Sequence, residues 1–128
     1  MKRVVLAASL AASSLGCDDP QARAKLSLLQ QDIFTPSCAL AGCHSEVTPQ
    51  AGLDLTDGTS YSSLVGVDST QEIGKKRVVP GDPAASVLFQ SVQGTSPTLP
   101  RMPFGLRPLP QADIEAIAHW ILQGAKDD

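Results

Sequence analysis

The feature that most restricts how this chain can fold is a short segment in which Cys38 and Cys43 are followed directly by His44. Four residues, Ala-Leu-Ala-Gly, separate the two cysteines. Because most of them are small, the spacer can bulge, so that both sulfur atoms reach fixed positions on one bound group. The fold must therefore accommodate two thiols and an imidazole in one place.

This segment has four chemical interpretations. Two thiols that add to the vinyl groups of a haem, followed at once by a histidine that binds the iron, define c-type haem attachment, which usually has two residues between the cysteines. A disulfide between Cys38 and Cys43 would close a small loop in an oxidising compartment. A structural zinc site would need a fourth ligand, and a catalytic thiol paired with a second cysteine would be oxidised in such a compartment. The segment alone leaves both haem attachment and a disulfide open.

The N-terminal residues predict export. Lys2 and Arg3 precede an uncharged, mostly apolar stretch at residues 4–15, and small residues lead from there to Cys17. This order of charge, apolar run and small-residue cleavage site is that of a secretory signal peptide. The apolar run is also much shorter than the ~20 residues that a membrane-spanning helix needs. We expect residues 1–16 to be a signal peptide.

The end of this signal resembles the lipobox of bacterial lipoproteins. Ser14-Leu15-Gly16-Cys17 matches the lipobox except at position 14, where an aliphatic residue is usual. In lipoproteins cleavage leaves the cysteine as a lipidated N-terminus, and several acyl chains together give stable anchoring. The resemblance implies that Cys17 is lipidated and that the protein lies on the periplasmic side of a bacterial membrane. Residues 17–25 are polar and Ala-rich, which suits a short tether from the membrane to the domain.

The charge of the chain argues against one class of partner. Without the two cations of the signal peptide, eight Lys and Arg remain against 13 Asp and Glu, a net charge of about −5. A mildly acidic chain without basic runs is poorly suited to nucleic acid. The length that remains is that of one domain.

Hydrophobic spacing predicts an all-α chain of about three to five helices joined by long loops. The first helix should begin near Leu26 and end near Thr35, because Pro36 disfavours the α conformation of the residue before it. Residues 61–65 suit one helical turn. Five prolines between residues 94 and 110 exclude a regular helix or sheet there, and so long an irregular stretch in a small domain is usually disordered or functional.

Two further helices have recognisable ends. Asp82 and Pro83 suit the N-cap and first position of a helix that should stop near Gly94. The last helix should start with Pro110 at its first position and end with Gly124 just beyond it. Its apolar stripe, with the spacing of one helix face, consists of Ile114, Ile117, Ala118, Ile121 and Leu122.

From about Leu29 to Ala125 the chain resembles the small monohaem cytochrome c domains of exported bacterial proteins. The elements that carry this resemblance occur in the family's order. They are Ile33-Phe34, Cys43-His44, Gly52-Leu53-Asp54-Leu55, Val79-Pro80-Gly81-Asp82-Pro83 with Ser86 and Leu88, Arg101-Met102-Pro103, and the terminal Ile114, Ile117, Trp120-Ile121 and Gly124-Ala125. The four-residue spacer between the cysteines departs from the usual motif, although c-type cytochromes with longer spacers exist.

The resemblance implies a cytochrome c-like fold for residues 26–128 around one haem c. Cys38 and Cys43 would form the thioethers, and His44 and Met102 would be the axial ligands of the iron, Met102 because the family's distal methionine precedes a proline. Trp120 would pack against the first helix. We expect His119 to project into solvent from the last helix. The candidates for pairing with the haem propionates are Arg77, Arg101 and Arg107.

A haem with this ligand set implies one-electron transfer, because His/Met ligation leaves no open iron position for substrate chemistry. The protein would be an electron carrier and not an enzyme, with redox proteins as partners, a membrane contact through its lipid anchor, and no small-molecule substrate. Two alternatives remain. One is a non-redox lipoprotein binding module with a Cys38–Cys43 disulfide, and the other is a haem subunit or sensor of a larger redox complex.

Overall fold

The computed structural model describes residues 19–128. The predicted signal peptide and Cys17 lie outside these residues. The helices in chain order are α1 (Leu26–Leu29), which continues directly as a π-helical segment (Gln30–Cys38), a single 3₁₀ turn (Gln50–Gly52), α2 (Ser60–Leu64), α3 (Val87–Gln93) and α4 (Gln111–Leu122). Over residues 19–128 there is no β-strand, only isolated bridges. The prediction of an all-α chain with three to five helices is confirmed for this part of the protein.

The core forms where α4 packs against α1 and α3. Trp120 on α4 is 1% exposed, and its indole Nε1 donates to the carbonyl of Lys126 at 2.8 Å, so its one polar atom is satisfied. The start of α1 is closed by the last residue, because Asp128 accepts hydrogen bonds from the backbone N–H groups of Leu26 and Ser27. The fully buried side chains around Trp120 include Leu29, Ile33, Phe34, Ile117 and Ile121.

The first helix does not end near Thr35, as we predicted, but runs to Cys38. From Gln30 onwards the helix is widened to π geometry, and the N–H of Ala39 donates to the carbonyl of Phe34, five residues back, at 2.7 Å. Proline is excluded from α-helices by its missing N–H and by a clash with the carbonyl four residues back. A wider turn moves that carbonyl away, so Pro36 fits inside the segment. Such π-turns are rare and often occur at functional sites.

The predicted start of α3 at Asp82 is also wrong, because the helix begins at Val87. Asp82 caps only a turn, in which its Oδ1 accepts from the N–H of Ala85 at 3.1 Å. The fully buried Ser86 explains the difference: its hydroxyl donates to the carbonyl of Asp82 at 2.8 Å and accepts from the N–H of Val79 at 2.9 Å. These bonds fix residues 82–86 as a turn against the preceding segment.

The helix ends agree better with the sequence. α3 stops before Gly94, which has the left-handed φ of 74°. α4 stops before Gly124, where the N–H of Gly124 donates to Ile121 at 3.0 Å and that of Ala125 to Trp120 at 2.9 Å, a Schellman motif. Pro110 precedes the first residue of α4 instead of occupying it. Within the described part of the chain, no helix combines the length and the apolar character that crossing a membrane requires.

Candidate functional site

A cavity of about 470 Å³ lies beside the end of the π-helical segment. Its lining includes Cys38, Cys43, His44 and Met102. Its volume falls within the ~300–1,000 Å³ of small-molecule and cofactor sites. Most of the remaining lining is apolar and includes Leu53, Leu55, Leu64, Val87, Leu88 and Val92.

The Cys–His segment, residues 37–44, is held by backbone hydrogen bonds. The N–H of Cys43 donates to the carbonyl of Leu40 at 3.0 Å, and the N–H of His44 donates to the carbonyl of Cys38 at 3.1 Å. Gly42 has a φ of 82°, which favours glycine because it has no Cβ, and its N–H donates to the hydroxyl of Thr48 at 2.7 Å. The four-residue spacer is therefore folded into a compact turn that keeps both cysteines at the cavity.

Both cysteines are free thiols and partly buried. Burial, and to a smaller extent the neighbouring Cys43, raises the pKa of the Cys38 thiol to about 12. Cys38 is therefore protonated at neutral pH. A nucleophilic cysteine requires the opposite shift, so the surroundings of Cys38 do not suit a catalytic thiolate.

The ring of His44 is oriented by backbone carbonyls. Its Nδ1 lies 3.2 Å from the carbonyl oxygen of Gln50 and 3.2 Å from that of Leu53. Because a carbonyl oxygen only accepts, these two neighbours favour the tautomer with the ring proton on Nδ1, in which Nε2 carries the lone pair. A histidine that ligates a metal is commonly held by such a bond from its other ring nitrogen. His44 is therefore prepared to act as a ligand through Nε2.

Met102 belongs to the Met102 segment, residues 94–110, which contains the five prolines and no regular structure. The N–H of Met102 donates to the carbonyl of the buried Ser91 on α3 at 3.0 Å. The guanidinium of the neighbouring Arg101 donates to the carbonyl of Gln93 at 3.0 Å. These two contacts attach the segment to the end of α3 and leave the half-buried Met102 side chain at the cavity.

Arg77 is the arginine that lines this cavity, and it is 8% exposed. Its guanidinium donates to the carbonyls of Ser63 at 2.8 Å and Ala51 at 2.9 Å. No carboxylate among residues 19–128 pairs with it. Desolvation lowers the pKa of Arg77 from its ordinary value. Arg77 is thus a buried cation, and an anionic ligand would compensate its charge.

Sequence reasoning missed Glu72, whose side chain is 4% exposed. Its Oε2 lies 2.6 Å from the ammonium of Lys75, and its Oε1 accepts from the hydroxyls of Ser96 at 2.9 Å and Thr98. Lys75 first, and then the two hydroxyls, lower the pKa of Glu72 to about 2. Nothing in the local sequence signals this role, because the hydroxyl partners lie in the distant Met102 segment.

The structure thus brings five of the predicted residues to one cavity, namely Cys38, Cys43, His44, Met102 and Arg77. The exposed Arg101 and Arg107 and the half-buried His119 do not line it. Over the described range, no group of three or more His, Cys, Asp or Glu side chains is arranged to hold a metal ion among themselves. Comparison of the chain with protein-family models, with curated proteins and with solved structures gave no match.

Proposed function

We propose that this protein is a monohaem c-type cytochrome that carries single electrons. The observation that supports this most strongly is the meeting of His44 and Met102, which are far apart in the sequence, at one apolar cavity that both cysteines also line. An imidazole nitrogen and a thioether sulfur are the donor pair of electron-transferring c-type haems. A disulfide or a surface binding loop would require no such convergence.

The residues present fit a haem group. Cys38 and Cys43 would each add an S–H bond across a vinyl group to form the thioethers, and the Nε2 of His44 and the sulfur of Met102 would ligate the iron. Arg77 would compensate one propionate, because it is a buried cation with only carbonyl partners. When bound, haem iron supplies the one-electron ferrous–ferric chemistry.

The surrounding residues suit electron transfer better than catalysis. Two protein ligands leave no iron position for a substrate. Leu55 and Leu64 are 2% and 0% exposed and exclude water from the inner wall, while Phe104 and Leu106 line the same cavity and are 72% and 53% exposed. We infer that the inner side of the site is closed to water and that the exposed side binds a redox partner protein. The protein would use neither a small-molecule substrate nor nucleic acid.

We propose that residues 26–128 form one cytochrome c-like domain. Its N-terminal side would continue through the tether, residues 17–25, to the lipidated Cys17. The carrier would then work on the periplasmic side of a bacterial membrane. A haem subunit of a larger complex would use the same site.

The test is the mass and the absorption spectrum of the full chain expressed together with a c-type maturation system. We expect one haem per mature chain, retained through denaturing electrophoresis and acidic solvent extraction, because thioethers survive both. The double variant Cys38→Ser/Cys43→Ser should carry none, whereas His119→Ala, which changes a residue away from the cavity, should load normally. A haem-free wild type two hydrogens lighter than its reduced mass would contradict the proposal and favour the disulfide.

A further inference from the structure

We propose that Glu72 is a positioning residue that holds the Met102 segment against the opposite wall of the cavity and thereby keeps the methionine sulfur at the iron. As far as it concerns iron ligation, this inference rests on the proposed function. Glu72 does not line the cavity, and its partners in the segment are Ser96 and Thr98, so its action is through the backbone that carries the ligand.

On one side, Glu72 organises the residues that lead to Met102. Its Oε1 accepts from the hydroxyls of Ser96, at 2.9 Å, and Thr98. The same Ser96 hydroxyl oxygen accepts from the N–H groups of Thr98 at 3.3 Å and Leu99 at 3.0 Å. The turn at residues 96–99 is therefore built around one carboxylate oxygen, and Leu99 at its end lines the cavity.

On the other side, Glu72 is fixed to the wall formed by residues 69–71, which also line the cavity. The N–H of Glu72 donates to the hydroxyl of Ser69 at 3.0 Å, and the N–H of Ser69 donates to the carbonyl of Lys75 at 2.9 Å. The ammonium of Lys75 closes the loop on Oε2 at 2.6 Å. One buried side chain thus connects two walls that are distant in the sequence.

A carboxylate is needed at this position because two hydroxyl donors and an ammonium group converge on it. Its pKa of about 2 keeps it ionised over the whole neutral range, and hydrogen bonds to a charged group are about twice as strong as neutral ones. Replacement by an apolar side chain would leave the hydroxyls of Ser96 and Thr98 without their acceptor.

Other restraints near the ligand are few: the guanidinium of Arg101 donates to the carbonyl of Gln93 at 3.0 Å, and Met102 packs against the core. The backbone contact of the segment to α3 at Met102 is one hydrogen bond, to the carbonyl of Ser91 at 3.0 Å. No regular secondary structure contributes between residues 94 and 110. Loss of the Glu72 contacts should therefore open the segment while the helices stay folded.

The experiment compares haem-loaded wild type with Glu72→Ala, Glu72→Gln and the matched control Asp68→Asn. Asp68 also pairs with a lysine, Lys76, at 2.6 Å, but its side chain is 79% exposed and the pair includes no residue of the Met102 segment. Two readouts are taken. One is methionine ligation, from the near-infrared sulfur-to-iron band and the rate of carbon monoxide binding to the ferrous form. The other is amide hydrogen exchange of residues 95–102.

We expect Glu72→Ala to accelerate both carbon monoxide binding and exchange at Leu99 and Met102 by at least about tenfold. Tenfold corresponds to ~1.4 kcal/mol, the low end for lost hydrogen bonds to a charged group. Glu72→Gln should lie between wild type and Glu72→Ala, because an amide oxygen still accepts from the hydroxyls but does not pair with Lys75. Asp68→Asn should match wild type in both readouts.

Unchanged exchange at residues 95–102 in Glu72→Ala would overturn the proposal. Faster exchange with an unchanged methionine band would overturn it too, because the contacts would then restrain the segment without positioning the ligand. The wild type tests the proposed function separately. If the wild-type chain carries no haem, or carries haem without the methionine band, Met102 is not an iron ligand, whatever the variants show.

Discussion

The two sides of the cavity are built in different ways. The Cys–His segment continues a helix whose Ile33 and Phe34 are completely buried, and its turn is closed by backbone hydrogen bonds between near neighbours. The Met102 segment has no helix. Besides the backbone bond of Met102 to Ser91 and the packing of Leu109, it is held by side-chain hydrogen bonds, above all from the hydroxyls that donate to Glu72. The first segment continues a helix of the core, whereas the second reaches the core only through Leu109 and the half-buried Met102.

This difference teaches how the two proposed iron ligands should behave. Local opening requires the least free energy where few apolar contacts and few backbone bonds oppose it. His44 should therefore remain in place under conditions that release Met102. Changes in the Cys–His segment should act on folding and haem attachment, whereas changes in the Met102 segment should act on ligation within a folded protein.

The largest effect should come from Met102→Ala, which removes the proposed ligand of the weaker wall. Loss of the soft sulfur opens an iron position and destabilises ferrous iron. We expect ready carbon monoxide binding and a potential lower by on the order of 0.1–0.3 V, part of the ≈ 0.8 V range that axial ligands span. Spectroelectrochemistry and ferrous carbon monoxide titration measure both.

The control for this change is His119→Ala, because His119 does not line the cavity. It should leave the spectrum and the potential of the wild type unchanged. A low-spin spectrum that survives Met102→Ala but not His119→Ala would assign the ligand to His119 instead, and α4 would have to turn that side towards the iron.

The next prediction compares how much each of the two segments contributes to the free energy of unfolding. Phe34 is 0% exposed, so Phe34→Ala should lower the free energy of unfolding by ~3–5 kcal/mol, the usual cost of emptying a buried aromatic position. Phe104 in the Met102 segment is 72% exposed, so Phe104→Ala should change the free energy of unfolding by less than ~0.5 kcal/mol. Denaturant titrations of both haem-loaded variants decide this. Similar losses in the two variants would contradict the difference between the walls.

The same difference explains how much of the molecule could be predicted from its sequence. The compact cysteine turn, the stop of α3 before Gly94 and the stop of α4 before Gly124 follow from local residue types. The start of α3 could not be read from Asp82 and Pro83, because the hydroxyl of Ser86 bonds to Val79 and thereby holds the intervening residues as a turn. A hydrogen bond that forms only when two segments fold against each other leaves no pattern in the local sequence.

Two further misses have the same kind of cause. The helix extends past Pro36 because the chain widens to π geometry six residues earlier, at Gln30, which hydrophobic spacing does not report. The sequence does not distinguish the three arginines that are candidates for pairing with the propionates. In the structure Arg77 is buried at the cavity, whereas Arg101 and Arg107 are exposed. The hydroxyl partners of Glu72 lie 24 and 26 residues away, so its contact with the Met102 segment depends on the tertiary structure.

The smallest effect sharpens the comparison with a pair of glycines that have the same backbone role. Gly94 and Gly124 end α3 and α4 with φ of 74° and 107°, so an alanine at either position is strained. A Cβ on Gly94 would overlap the guanidinium of Arg101, whereas a Cβ on Gly124 would meet nothing within 4 Å. Gly94→Ala must therefore also displace the side chain next to Met102.

Both Gly94→Ala and Gly124→Ala should lower the free energy of unfolding by ~1–2 kcal/mol, the cost of a left-handed conformation for a residue with a Cβ. Only Gly94→Ala should also weaken the near-infrared methionine band, because Arg101 has to leave its hydrogen bond to the carbonyl of Gln93. Denaturant titration and the band intensity, measured on the same samples, test the two parts. If Gly124→Ala weakened the band as much as Gly94→Ala, loss of the methionine ligand would be a result of general destabilisation. The Met102 segment would then not open independently of the rest of the protein.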